Sequence, residues 1–383
     1  MKVSFNVPYI SGKEIEYINE AISNRNLSGN GPFTRKCQDW LEKELSCSKA
    51  FLTSSCTAAL EVAAITAGIQ SGDEVIMPSY AFVSTANAFV LRGGVPVFVD
   101  IRPDTMNINE KLIEAAITDK TKAIVPIHYS GIACELDEIM NIANRYDLFV
   151  IEDAAHAIGC SYKGKYLGSL GDLAAFSFHE TKNITSGEGG SIIINNPELV
   201  ERAEIVWYKG TNRGNFDRGE INKYSWIDIG SSYQPGELTA AFLFAQMEKK
   251  DLVNTKRLQV WNHYYDGLQP LVEKGHVELP FVPADCLHNA HLFYIKTADR
   301  QVRTELIRYL NECNINSVFH YVPLHSSKGG RKYGRFHGAD LHTTRESERL
   351  LRLPIHCSIS TKEADYIISK IHDFFLSSNM PVK

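Results

Sequence analysis

Three things are missing from this chain, and each absence removes a class of function: a Cys-x-x-Cys pair, an apolar run long enough to span a bilayer, and a basic stripe. Its eight cysteines, at 37, 47, 56, 134, 160, 286, 313 and 357, are scattered through 383 residues. Thiols without ligand spacing exclude a disulfide frame or a zinc ribbon and read as reduced cysteines of a cytoplasmic protein. The polar start Met1-Lys2-Val3-Ser4-Phe5-Asn6 carries no apolar leader, so neither export nor a membrane is expected. Lys and Arg number 40 against 45 Asp and Glu, a net charge of -5 at pH 7. That balance cannot displace counterions from a nucleic-acid backbone, and no nucleic-acid partner is expected. An HExxH motif, a Walker pattern and a G-x-G-x-x-G behind a first strand are also missing, which sets aside zinc hydrolysis, P-loop chemistry and a nicotinamide oxidoreductase.

What is present is a composition of 44% hydrophobic and 22% charged residues, ordinary for a soluble enzyme. The length exceeds what one core organises, so two domains around one cleft are expected, 1–249 and 250–383. From residue 49, short runs rich in Val, Ile and Phe predict strands at Ala50–Thr53, Glu74–Met77, Pro96–Asp100, Ala123–Ile127, Leu148–Ile151, Ala174–Phe178 and Ser191–Ile194. Helical patterns lie between several of them, at Thr57–Gly68, Thr85–Arg92, Glu110–Ile117 and Leu136–Tyr146. This alternation predicts an α/β fold with a mostly parallel sheet, whose ligands collect beyond the carboxyl ends of the strands. Pro235–Lys249 reads as a buried helix with Pro235 in its first turn, continuing toward Leu268. The remainder reads as a smaller α+β unit: strands at Ala290–Ile295 and Ser317–Tyr321, helices at Val302–Cys313 and Thr344–Leu351, and a last helix opened by the capping box Ser360–Glu363.

Five segments carry chemistry. In FSFHETKNITSGEGG, residues 176 to 190, Lys182 follows a strand end and precedes a glycine-rich turn. A lysine desolvated in a cleft loses its proton more easily and attacks aldehydes; an exposed loop lysine is the ordinary alternative. In LFVIEDAAHAIG, residues 148 to 159, Asp153 ends a buried strand. Its carboxylate needs a partner there: a protonated pyridinium nitrogen, a helix N-terminus or a magnesium ion each suffices. His156 follows, able to bond a ring oxygen. In FLTSSCTAALEVA, residues 51 to 63, Ser55, Cys56 and Thr57 open an Ala-rich helix whose free N–H groups suit a phosphate, and Ser177 is a further donor. In MPSYAFVSTANAF, residues 77 to 89, Tyr80 or Phe82 can stack on a flat heterocycle or simply fill the core. In VFHYVPLH, residues 318 to 325, His320, Tyr321 and His325 surround Pro323, and HNAHLFY adds His291; polar contacts to a sugar suit this set better than a metal.

The order of these segments resembles that of fold-type I pyridoxal-phosphate enzymes. More narrowly, LSGNGPFTRKCQDWLE, SCTAALE, GDEVIMPSYAFVSTANA, VFVDIRPDTMNI, EDAAHAIG, FSFHETKN and FHYVPLH resemble the sugar aminotransferases of the DegT/DnrJ/EryC1/StrS family across essentially the whole chain. The resemblance implies pyridoxal 5′-phosphate as cofactor, carried by Lys182, with Asp153 as partner of the pyridinium nitrogen. It implies His156 beside the ring, Phe82 stacked on it, Cys56, Thr57 and Ser177 on the phosphate, and His325 near the sugar. It also implies a homodimer with shared sites, L-glutamate as amino donor and a nucleotide-linked keto-sugar as acceptor. TNRGNFDRGEINKYSWIDIGSSY and SERLLRLP narrow it to the members that aminate C4 of dTDP-4-keto-6-deoxyglucose. One departure stands out. Many members carry Asn-Tyr-Arg-Met before the long helix, the Asn reaching the partner's phosphate, where this chain has Ser232-Tyr233-Gln234-Pro235. Relatives that remove a sugar hydroxyl instead carry histidine in place of the lysine, and Lys182 disfavours that chemistry, His179 notwithstanding. A non-enzymatic sugar-nucleotide binder would tolerate loss of Lys182 or Asp153, and both are present.

Overall fold

The structure is a computed structural model, and it describes residues 1–377. Ten strands matter here: β1 Lys49–Thr53, β2 Glu74–Pro78, β3 Val95–Val99, β4 Thr121–Ile124, β5 Phe149–Asp153, β6 Leu173–Ser177, β7 Gly190–Ile194, β8 Phe293–Lys296, β9 Arg335–Phe336 and β10 Leu350–Leu353. Eight of them form one sheet in the order β1-β7-β6-β5-β4-β2-β3-β9. Its pairings are parallel except around β7, which runs antiparallel to both β1 and β6. Every residue of β2, β6 and β7 is buried, as continuous apolar runs require when helices cover both faces. All seven strands expected in the first half exist, with ends displaced by at most three residues.

A second core lies in the C-terminal third. Tyr264, Phe293, Leu306, Leu351 and Ile367 pack there, and Val3 from the chain's start joins them. The capping box forms as the sequence requires: Ser360 N–H donates to Glu363 Oε2 at 2.8 Å, and Glu363 N–H donates to Ser360 Oγ at 3.3 Å.

Three expectations change. The helix begins at Glu237, so Pro235 precedes its cap at Gly236 rather than filling a first turn, and the chain breaks after Met247 before a second helix, Lys250–Glu273. Ser317–Tyr321 makes only one bridge, Val318 to Arg352. The strand that pairs antiparallel with β8 is β10, and the helix expected over Thr344–Leu351 stops at Arg349 to release it. Alternation explains the error: Leu350, Leu351 and Leu353 fit a helical face as easily as a buried strand. Two amphipathic helices ahead of the sheet, Glu14–Ser23 and Pro32–Leu45, carried no strong sequence signal and were not expected.

The two cores are tied by Asp100, just past β3 and 1% exposed. Its carboxylate accepts from Leu341 N–H (3.0 Å), His342 N–H (3.0 Å), Thr343 N–H (2.8 Å) and the Thr343 hydroxyl (2.6 Å). Helix-start amides concentrate positive potential, so the carboxylate caps the helix Thr343–Arg349 and fixes the approach to β10. Asp100→Ala leaves several of those donors unmet and should cost about 3 kcal/mol; urea denaturation of the two proteins measures it.

Candidate active site

The strands β5 and β6 end at the floor of a cavity of about 750 Å³. Ser55, Cys56, Thr57, Phe82, Asp153, His156, Ser177, Lys182, His291, His320 and Tyr321 all line it. His325 does not: its Nδ1 lies 2.6 Å from Ser79 Oγ and its Nε2 3.2 Å from Asp340 Oδ2, which locks the ring behind the wall. Tyr80 is also outside the lining, buried edge-on against Tyr129 at 5.2 Å between centroids.

Asp153 ends β5 and is buried, yet among the described residues its carboxylate accepts only from the Thr85 hydroxyl (2.6 Å, Oδ2) and Ala155 N–H (3.1 Å, Oδ1). The next residue back, Glu152, points the other way along the pleat. It is wholly buried and fully bonded, to His128 Nε2 at 2.8 Å and to the N–H groups of Gly168, Leu170 and Gly171. One carboxylate therefore builds the scaffold, and the other retains capacity toward the cavity.

Lys182 sits in the loop after β6, its N–H bonded to His179 O at 2.9 Å. Its neighbour Asn183 anchors that loop, donating to Asn254 Oδ1 (2.9 Å) and Asn289 O (2.8 Å) and lying 3.2 Å from His291 Nδ1. Desolvation lowers the Lys182 amine to about 8; Arg352 pushes the same way, while Cys56 and Asp153 oppose. His156, His291 and His320 are all held well below the usual histidine range, by burial first and then by neighbouring charge. The three imidazoles are thus neutral and act as hydrogen-bond groups. His156 Nδ1 accepts from Ser130 N–H at 3.3 Å, and its ring stacks on His291 at 4.2 Å. His320 Nδ1 lies 2.7 Å from the Tyr129 hydroxyl.

At the helix Cys56–Thr66, Ser55 caps by accepting from Ala58 N–H at 3.1 Å, which leaves the first helical amides to the cavity. β7 lies close against this turn because it starts with glycine: a Cβ at Gly190 would sit 2.4 Å from Cys56 N and 2.4 Å from Ser55 C. Phe82 is 56% exposed, an apolar face open to a flat partner. Together the wall offers an anion cradle, a flat stacking face, a carboxylate and an amine that gives up its proton more easily than usual. Phe5, Thr85, Arg257 and Arg352 also line the cavity, and nothing in the sequence had singled them out.

Comparison with known proteins shows the family. A model of the "DegT/DnrJ/EryC1/StrS aminotransferase family" matches residues 8–372. The chain belongs to that family. This aminotransferase is 33% identical to the spore coat polysaccharide biosynthesis protein SpsC of Bacillus subtilis over 380 residues, 96% of each chain. Among solved structures it is similar to the aminotransferase TlmJ of Streptoalloteichus hindustanus, with TM-score 0.89, 26% identity and coverage of 98% and 99% of the two chains. It is also similar to a protein of Streptococcus pneumoniae described as a sugar aminotransferase in its PLP form, with TM-score 0.87, 25% identity and 98% of each chain covered.

In the cofactor-free aminotransferase, the neutral fraction of Lys182 passes one half near pH 8 rather than at the ordinary lysine value of about 10.4. Trapping of an aromatic aldehyde on Lys182 by borohydride should therefore rise with pH to a midpoint near 8, read by peptide mass spectrometry.

Proposed function

We propose that this aminotransferase moves the amino group of L-glutamate to C4 of dTDP-4-keto-6-deoxy-D-glucose, giving dTDP-4-amino-4,6-dideoxy-D-galactose for a surface polysaccharide such as enterobacterial common antigen or an O-antigen. Its cofactor is pyridoxal 5′-phosphate, which when bound supplies an aldehyde for amine exchange and a ring that withdraws electrons. The observation that carries the reading is the pairing of a Lys182 amine lowered to about 8 with an under-bonded Asp153 carboxylate in one cavity.

The chain's residues fit that group. The helix start at Cys56 and Thr57, with Ser177, holds the phosphate, and Gly190 keeps the cradle open. Phe82 covers one face of the ring and His156 bonds its oxygen. Asp153 keeps the proton on the ring nitrogen, and Thr85 holds Asp153 in place. Lys182 Nζ would hold the cofactor, and its amine is the group that would move a proton between the donor's α-carbon and the cofactor carbon. His291, His320 and Tyr321, neutral groups that pack beside His156 in the cavity lining, orient the sugar. His325 acts at one remove, by fixing the turn that presents His320 and Tyr321. The name of SpsC, a polysaccharide biosynthesis protein, and the stretches TNRGNFDRGEINKYSWIDIGSSY and SERLLRLP support a sugar acceptor.

The working form is a cytoplasmic homodimer with shared sites, divided near residue 249 into a cofactor-binding domain and a smaller one. The run Trp226 to Ile229 supports self-association, because Trp226 is 81% exposed and Ile227 and Ile229 stand out beside it.

Incubation with the keto-sugar and glutamate, followed by NMR, should show an axial amine at C4. An amine at C3, an equatorial amine, or an oxygen lost with no nitrogen gained would each replace this assignment. Lys182→Ala should lower kcat by about 10⁴-fold and abolish the imine absorbance of the resting enzyme. Gly190→Ala should weaken cofactor binding by about 10- to 100-fold, because its methyl group displaces the phosphate turn; equilibrium dialysis measures this.

A further inference from the structure

The reaction handles an amino acid, and an amino acid is an anion at its carboxylate. The phosphate cradle is already committed, so a second positive site is needed. Three cationic side chains line the cavity: Lys182, whose amine is lowered to about 8, and the guanidinium groups of Arg257 and Arg352. Lys182 is the reacting amine. Arg257 is spent on the fold, donating through Nε to Ala290 O at 3.1 Å and through Nη2 to His291 O at 2.6 Å. The histidines around them are neutral.

Arg352 differs. Along β10, Leu351 and Leu353 are fully buried in the C-terminal core, so strand alternation turns Arg352 to the other face, where it lines the cavity. Its backbone is held on both sides, in register with Tyr294 and bonded to Val318, whose oxygen accepts from Arg352 N–H at 2.8 Å. The guanidinium lies 4.8 Å from the Phe5 ring centroid, a face that supports a cation without neutralising it. Its Nε is buried with no hydrogen-bond partner, and among the described residues no carboxylate pairs with it. A buried donor on a charged group left unmet is costly, which marks it as reserved for something that arrives.

We infer that Arg352 anchors the carboxylate of the amino-acid donor, with Phe5 bracing the guanidinium from the amino-terminal segment. The inference rests on the aminotransferase reading and deepens it. A guanidinium presents paired N–H groups that match a carboxylate in one plane, so it fixes orientation as well as affinity. Its charge already acts on Lys182, so an anion seated on it lies within electrostatic range of the amine that moves the proton. The diphosphate of the sugar nucleotide shares this chemistry, and the half-reactions tell the two apart.

The experiment mixes the cofactor-loaded enzyme with L-glutamate alone and follows the loss of visible absorbance. No sugar is needed, so a wrong sugar assignment leaves the comparison intact. Arg352→Gln should raise the apparent Kd for glutamate about 100-fold. Its resting absorbance and melting temperature should match the parent's, and Arg352→Lys should recover part of the loss. With isopropylamine, an amine lacking a carboxylate, parent and Arg352→Gln should react alike. Unchanged glutamate affinity in Arg352→Gln would overturn the inference. So would an equal loss with isopropylamine, or a rise confined to the KM of the sugar nucleotide, which would place the diphosphate on Arg352 instead.

Discussion

The partial desolvation of one amine, Lys182, organises this molecule. Removing solvent from around Lys182 takes its amine to about 8, and the opposing pull of Cys56 and Asp153 keeps it from falling further. That balance needs a cavity shielded from bulk water, and such a cavity needs walls whose own polar groups are satisfied. Glu152 with its four partners and Asn183 with its three are the means by which the backbone around the site is held without water. Adjacent residues in the sequence thus divide the labour, Glu152 inside the scaffold and Asp153 at the cavity, because the pleat sends them to opposite faces.

The histidines follow from the same condition. Buried imidazoles beside Lys182 and Arg352 do not bind a proton, so His156, His291 and His320 offer directional hydrogen bonds with no charge. A wall of that kind is selective for neutral hydroxyls and heterocycle edges, and it leaves the few real charges of the cavity to the ionic parts of its ligands.

The strands of the large sheet and the residues at their carboxyl ends were legible in the sequence, since fully buried parallel strands announce themselves as short apolar runs. Asp153 and Lys182 were legible as candidates for the same reason. The C-terminal third was harder. The helix expected over Thr344–Leu351 took in Leu350 and Leu351, and with the strand Leu350–Leu353 unrecognised, Arg352 had no face to point from. Phe5 was invisible because its role depends on a contact with Arg352 across almost the whole chain. His325 was assigned to the sugar from a local pattern, whereas its position follows from Ser79 and Asp340, remote in sequence on either side. Local periodicity does not encode such closures.

The register of β9 against β3, and of Val3 against Ile315, carries a consequence for biogenesis. A ribosome delivers β3 more than two hundred residues ahead of the strand that covers its edge, so the nascent sheet waits with an open rim until Arg335 and Phe336 emerge. The amino-terminal residues wait longer still to be of use, because the core that receives Val3 is built from residues beyond 260. The catalytic chamber is therefore a late product of synthesis, assembled from the first and last parts of the polypeptide together, and a chain released early would hold Lys182 without the roof that makes it reactive.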